Sequence, residues 1–358
     1  ARAQRMLLRG EAAFRRGAYE RALAYADSAE RYDPDAPVVP FFRGSIYTAL
    51  ERPEAARRAY RAALALDPAY PEARLRLGEL EAEAGRLRRA LALYRQEARL
   101  APSSALYARI GQAYAELALP DSARLAYDRA LALDSTNARA HLLYGQLLEQ
   151  SGRLEEALAH SRRALALEPE RANHHFAVGA QLYRMGRLEE AAAPLRRAAE
   201  ARLLHYPAQY TLGQVLVRLG REREGARYLA RADSARRLMD RITAAQEAAA
   251  RRPEAAGPWL RLGELFRRAN EDDKAIEAYS HAVRLEPGNL TAQSELAKLM
   301  LAAGEVEEAA RRFQAVLRAD RRRVEAWLGL GLAYAAAGAC EQARQAWQIA
   351  LEHRPGDP

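Results

Sequence analysis

His174 and His175 stand side by side, Cys340 is the single thiol, and glutamates occur as the neighbours Glu155-Glu156 and Glu189-Glu190. These are the residue types that could hold a metal, attack an acyl group or exchange a proton. A structural zinc site takes four ligands at set spacings, and one cysteine supports neither an intrachain disulfide nor a cysteine-based metal site. No His-Glu-x-x-His, P-loop, nucleophile-elbow or dinucleotide glycine pattern occurs. The paired glutamates open helical stretches, where a carboxylate meets the positive end of the helix dipole. The chain is therefore expected not to be an enzyme, and to use no cofactor and no metal.

Charge offers a second kind of chemistry. The net charge is +9, and of 56 basic residues only Lys274 and Lys298 are lysines. Such an arginine skew suits a GC-rich coding bias as well as it suits phosphate contacts. With 49% hydrophobic and 29% charged residues the chain is expected to fold rather than stay disordered. No apolar run approaches the roughly 20 residues that span a bilayer, so no membrane insertion is expected. The chain opens Ala1-Arg2-Ala3 without an initiator methionine, as a processed chain or a fragment would.

The elements that position these residues are set by an internal period. Glycine recurs at Gly10, Gly44, Gly78, Gly111, Gly145, Gly179 and Gly213, then at Gly263 and Gly331 with Ala297 in the slot between. Twelve residues after each stands a small residue: Ala22, Ala56, Ala90, Ala123, Ala157, Ala191, Gly225, Ala275, Ala309 and Ala343. Two antiparallel helices approach closely only where bulk is missing, so each glycine is expected to meet the alanine of its partner helix. A large side chain there would overpack the contact by about 1–3 kcal/mol. Aromatics four residues after the alanine (Tyr60, Tyr94, Tyr127, Tyr279, Phe313, Trp347) fill the remaining space. A second glycine (Gly17, Gly85, Gly152, Gly186, Gly220, Gly304, Gly338) suits the helix C-terminus at the hairpin turn. Prolines such as Pro34, Pro68, Pro102, Pro169, Pro287 and Pro355 end the second helices.

This pattern resembles the tetratricopeptide repeat over nearly the whole chain. Ten units are read, at 3-36, 37-70, 71-103, 104-137, 138-171, 172-205, 206-239, 256-289, 290-323 and 324-357. The resemblance implies an all-α, right-handed superhelical solenoid of about ten helical hairpins, first helices lining a concave groove. Residues 240-255 are an insertion, so the organisation reads as a seven-unit array over 3-239, an inserted helical segment over 240-255 and a three-unit array over 256-357. From Glu222 to Arg251 there is no proline, and Leu229, Ala232, Ala235, Leu238, Ile242, Ala245 and Ala249 keep a helical stripe. One lengthened helix of roughly 30 residues, or two with a kink, is expected.

Function then rests on the groove. The resemblance places positions two, five, nine, twelve and thirteen of each first helix on its concave side. The Lys and Asn carboxylate clamp of chaperone-binding members is absent, since its positions read Leu75/Glu79, Leu142/Gln146, Phe176/Ala180 and Tyr210/Gln214. The asparagine ladder of glycosyltransferase-linked arrays is absent too. Units five to seven are the most ligand-like stretch, with Gln146, Gln150, Asn173, Phe176, Tyr183, Arg184, Tyr210, Gln214 and Arg218. Amides, aromatics and a few arginines suit an extended peptide, and an ordinary solvated groove is the competing reading. The paired arginines (Arg57-Arg58, Arg162-Arg163, Arg196-Arg197, Arg311-Arg312) fall on second helices and read as a solvated outer face, so no nucleic-acid partner is expected. His141 and His175 take the fourth position of their units, which packs inside the hairpin in this family.

Two further expectations concern the ends and the surface. Trp347, Ile349 and Leu351 make the last helix less polar than a cap, so either a missing cap or a neighbouring copy is expected to cover it. Head-to-tail contacts of that kind build filaments. Ser28, Ser122, Ser135 and Ser234 follow aspartates in a pattern that resembles the Asp-Ser/Thr-small sequon of bacterial extracytoplasmic O-glycosylation, although Asp-Ser is also common cap and turn chemistry. The leading expectation is a non-enzymatic scaffold for protein interaction or assembly in a bacterial envelope, extracytoplasmic rather than cytoplasmic. A subunit that polymerises end to end is the alternative.

Overall fold

The computed structural model describes residues 2–201 and 204–353. Among them every regular element is an α-helix: α1 (Arg2–Arg15), α2 (Tyr19–Tyr32), α3 (Val38–Ala49), α4 (Pro53–Leu66), α5 (Ala73–Glu83), α6 (Leu87–Leu100), α7 (Ser104–Glu116), α8 (Pro120–Leu133), α9 (Ala138–Gln150) and α10 (Leu154–Leu167). There follow α11 (Ala172–Arg184), α12 (Leu188–Ala201), α13 (Tyr206–Arg218), α14 (Glu222–Arg251), α15 (Ala256–Arg268), α16 (Asp272–Leu285), α17 (Leu290–Ala302), α18 (Val306–Ala319), α19 (Val324–Ala336) and α20 (Cys340–His353). Pro355 lies outside the described residues.

Contacts divide the chain into two compact units, the first ending at Pro194 and the second beginning at Leu195. The division falls inside α12 at its internal proline. In the first unit α1 packs with α2, α3 with α4, α5 with α6, α7 with α8 and α9 with α10, and each second helix also packs on the next first helix. The second unit repeats the scheme with α13 and α14, α15 and α16, α17 and α18, α19 and α20. The expected fold class, an all-α solenoid of stacked hairpins, is the one observed.

The small-residue contacts work differently from the sequence expectation. A methyl carbon placed on Gly44, Gly78 or Gly111 would lie 2.5 Å from the ring of Tyr60, Tyr94 or Tyr127. Gly263 faces Tyr279 and Gly331 faces Trp347 in the same way. At these positions the glycine makes room first for the ring sixteen residues on, while Gly145 and Gly213 also meet the residue twelve on, 3.1 Å from the Ala157 and Gly225 carbonyl oxygens. The slot twelve residues on sits where backbones approach: a methyl carbon on Gly225, which fills that slot, would lie 2.8 Å from the Gly213 carbonyl oxygen. Ala56, Ala90, Ala123 and Ala275 are completely buried, as that approach requires.

Turn chemistry follows a similar rule. The hairpin-turn glycines have left-handed backbone, such as Gly152 at φ 76°, and where the slot lacks glycine Glu51, Ala118 and Asn270 take φ of 53°, 57° and 56°. The chain accepts strain there to keep the turn. Between hairpins a second device recurs. The side chain at the fourth position of a unit reaches back to the carbonyl six residues earlier: His175 Nε2 to Pro169 at 2.8 Å, Trp259 Nε1 to Pro253 at 3.1 Å, Gln293 Nε2 to Pro287 at 3.3 Å and Trp327 Nε1 to Arg321 at 2.8 Å. His141 Nε2 does so to Ser135 at 3.2 Å. Arg74 makes the same contact with Pro68. A carbonyl only accepts, so both histidines carry their proton on Nε2.

Of the two forms open for residues 222–251, the structure has a single helix of 30 residues. Its buried face runs through Gly225, Ala232, Ala235, Ile242, Ala245 and Ala249, and it packs on α13 near one end and α15 near the other. Small residues along that stripe allow both neighbours to approach.

Candidate binding surfaces

The nine groove candidates fall in both compact units. Within the first unit, Gln146 and Gln150 are exposed on α9, Asn173 and Arg184 are exposed on α11, and Phe176 and Tyr183 are partly buried on α11. Helices α9 and α11 touch, and one carboxylate joins them. Glu149 Oε1 lies 2.7 Å from Arg184 Nη1, while Gln181 donates from Nε2 to Glu149 Oε2 at 3.0 Å. Arg184 is therefore steered by Glu149, which has only 13% of its side chain exposed. Sequence reasoning passed over Glu149 although it occupies a twelfth position, because its neighbours were chosen for amide and aromatic character. Gln181 is completely buried at a tenth position, and nothing local marked it.

Within the second unit Tyr210, Gln214 and Arg218 lie four residues apart on α13 and so share one face. Tyr210 is 50% exposed, and Tyr206 and Val217 are also exposed apolar residues of that helix. A tyrosine left half in water on a helix whose neighbours Leu212, Val215 and Leu216 are completely buried is available area for a partner.

The three end candidates do not form one surface. Trp347 is partly buried inside its own hairpin, where it faces Gly331 and its ring nitrogen donates to the Leu328 carbonyl at 3.3 Å. Ile349 lines a groove shared with α18 and α19, and Leu351 is 54% exposed. Of the four serines, Ser28, Ser122 and Ser234 lie within α2, α8 and α14. Ser28 donates to the Ala24 carbonyl at 2.9 Å and accepts from Arg31 at 3.0 Å. Ser135 is exposed in a turn that Asp134 organises by accepting from the Thr136 amide at 2.8 Å and its hydroxyl at 2.6 Å. Those bonds hold the Asp134 carboxyl below its usual range.

Many arginines are engaged with carboxylates. Arg43 meets Asp27 at 2.6 Å and Glu30 at 2.7 Å, Arg196 meets Glu224 at 2.8 Å, and Arg311 and Arg312 meet Glu308 at 2.7 and 2.9 Å. Arg57 is 2.9 Å from Glu54 and Arg162 3.6 Å from Glu190. Among the described residues no three metal-ligating side chains come together, and no helix is long and apolar enough to cross a membrane.

Stacked hairpins with glycine–ring contacts inside and large side chains left outward define a helical repeat scaffold for protein interaction. Family comparison places it further. A model described as Tetratricopeptide repeat matches residues 43–105 and 109–172, and one described as Cytochrome c-type biogenesis protein H TPR domain matches residues 238–357. The chain belongs to the tetratricopeptide repeat family. No curated protein matches it. Solved structures similar to it include MamA 41-end from Desulfovibrio magneticus RS-1, with 21% identity, a TM-score of 0.43, and coverage of 47% of this chain and 95% of that one. YrrB, described as a TPR protein with an unusual peptide-binding site, has 20% identity, a TM-score of 0.42, and coverage of 51% and 95%. The P58(IPK) TPR domain has 18% identity, a TM-score of 0.30, and coverage of 100% and 94%.

Proposed function

We propose that the chain is an adaptor that holds protein or peptide segments against the groove sides of its first helices, α9 and α11 in the first unit and α13 in the second. The observation that carries this is the contrast within those helices. Their inner sides are consumed by ring contacts such as Gly111 with Tyr127, while Gln146, Gln150, Arg184 and Tyr210 remain exposed. Large aromatic and amide side chains kept in water by a scaffold are what interface composition favours. The partner is another protein in an assembly. The match of residues 238–357 to the repeat domain of a biogenesis protein supports that reading. The setting we propose is extracytoplasmic, and the seven-unit and three-unit arrays flanking residues 240-255 are proposed as its functional segments.

The test is capture of partners from extracts by the full chain, compared with the Phe176→Ala/Tyr210→Ala variant at unchanged melting temperature. Loss of the captured protein in the variant is expected, and equal capture by both chains refutes the surface. Intact mass of native material checks Ser28, Ser122, Ser135 and Ser234 for glycan.

A second reading is end-to-end self-assembly. It is favoured by two exposed leucines, Leu8 on α1 at 60% and Leu351 on α20 at 54% exposure. Light scattering across concentration separates the two: growth into large species supports the polymer, and a constant monomer mass removes it.

A further inference from the structure

Helices α18, α19 and α20 enclose a groove of about 770 Å³ in the second unit. Its apolar surface comes from Leu317, Leu330 and Ile349 with the rings of Trp327 and Tyr334. Both rings are held in place. Trp327 donates to the Arg321 carbonyl at 2.8 Å, and the Tyr334 hydroxyl accepts from Gln314 Nε2 at 2.9 Å. Arg318, Arg321, Gln342, Gln345 and His353 border this surface, and among the described residues no carboxylate lines it.

Two other grooves of the fold do have carboxylates in their lining. Where α2, α3 and α4 enclose a similar groove, Arg43 is neutralised by Asp27 and Glu30. The groove over α5 and α7 mixes Arg109 and Arg139 with Glu79, Glu83 and Glu116. Around the third, Arg311, Arg312 and Arg323 all have carboxylate partners. Arg318 and Arg321 alone face it with none among the described residues. Two exposed guanidiniums beside a fixed aromatic floor are an unbalanced charge on an apolar surface.

We propose that this groove docks an acidic amphipathic helix of another protein. From Gln342 to His353 the α20 wall spans about 16 Å at 1.5 Å per residue, roughly three helical turns. That length suits apolar anchors spaced one helical turn apart, with glutamates or aspartates flanking them to meet Arg318 and Arg321. A compact small molecule would leave most of that length unused. The site is walled by the second helices α18 and α20 over an α19 floor and shares no residue with the surface proposed above, so it is tested independently of it. Charge complementarity of this kind steers encounter and is weakened by salt.

The test is selection of a displayed library of random 16-residue peptides on the full chain, depleted first on the Arg318→Glu/Arg321→Glu variant. Both substituted side chains are exposed, so folding is expected to survive, and matched helicity and melting establish this. Enrichment of peptides with apolar residues at helical spacing and an excess of acidic residues is expected. Their binding is expected to fall at least about tenfold in the charge-reversed variant and in Ile349→Asn, and to fall again between low and physiological salt. A selected pool with no acidic excess overturns the proposal, as does binding that the charge-reversed variant keeps. A groove blocked by a second copy, seen as a dimer that Ile349→Asn dissolves, overturns it too. The Phe176→Ala/Tyr210→Ala variant is expected to bind the selected peptides normally, which separates failure here from failure of the first-helix reading.

Discussion

His141 on α9 and His160 on α10 bring their Nδ1 atoms to 2.9 Å from each other. His141 Nε2 is already committed to the Ser135 carbonyl, so its Nδ1 is an acceptor and His160 Nδ1 must donate. A proton added to His141 would set two N–H groups against each other. Tyr144 lies tilted against His160 with ring centres 4.5 Å apart, and Tyr127 stacks on Tyr144 at 5.6 Å, which leaves the pair little room to turn.

Acid should loosen this hairpin. Burial pushes both histidines below the ordinary value of 6.5, offset for His141 by the Ser135 carbonyl and aided by Arg163. For His160 the neighbouring His141 adds to the lowering, while Asp128 and Glu156 oppose it. A histidine lowered on folding binds its proton more readily in the unfolded chain. Its stabilising effect is complete above pH 6.5 and is lost as pH falls toward the folded value. Thermal melts are expected to shift down between pH 7.5 and about pH 5.5, and His160→Gln is expected to flatten that dependence. A wild-type midpoint constant across that range would remove the argument.

Gly111→Ala is expected to destabilise by about 1–3 kcal/mol. The added methyl would lie 2.5 Å from a Tyr127 ring that is only 1% exposed and cannot move aside. The denaturant midpoint reads this directly, and Gly111→Ala/Tyr127→Leu should recover part of the loss.

Ala118→Gly is expected to stabilise by about 0.5–1 kcal/mol, because a left-handed residue with a β-carbon is strained and glycine is not. Ala118 sits at φ 57° in the slot that Gly152 fills at φ 76° elsewhere. The converse, Gly152→Ala, meets no atom within 4 Å, so its cost of about 1 kcal/mol should be backbone strain alone.

Trp327→Phe is expected to cost about 1 kcal/mol by removing the donor to the Arg321 carbonyl. Hydrogen exchange should show faster opening of the turn at residues 320–323 and little change in α17. Uniform loosening throughout the second unit would argue that ring packing, not the hydrogen bond, matters there.

Hairpins and their order were legible because a period of about thirty-four residues puts small and aromatic residues on fixed helix faces. The lengthened α14 was legible from a proline-free apolar stripe running from Leu229 to Ala249, and the structure chose the single helix over a kinked pair. Facing partners were not. Gly44 and Ala56 share a period, yet the atoms nearest the glycine belong to the Tyr60 ring, which the spacing of small residues did not name as its partner. Trp347 looked like an end-face residue and proves to pack within its own hairpin.

Residue spacing alone determined the helices, their pairing into repeats and the side each residue takes, since helical geometry converts sequence distance into direction. Only the tertiary structure decided what each side meets: Glu149 with Arg184, His141 with His160, and Arg318 and Arg321 with no carboxylate among the described residues. Those encounters depend on the distance and rotation between helices, which many side chains set jointly and no short stretch of sequence encodes.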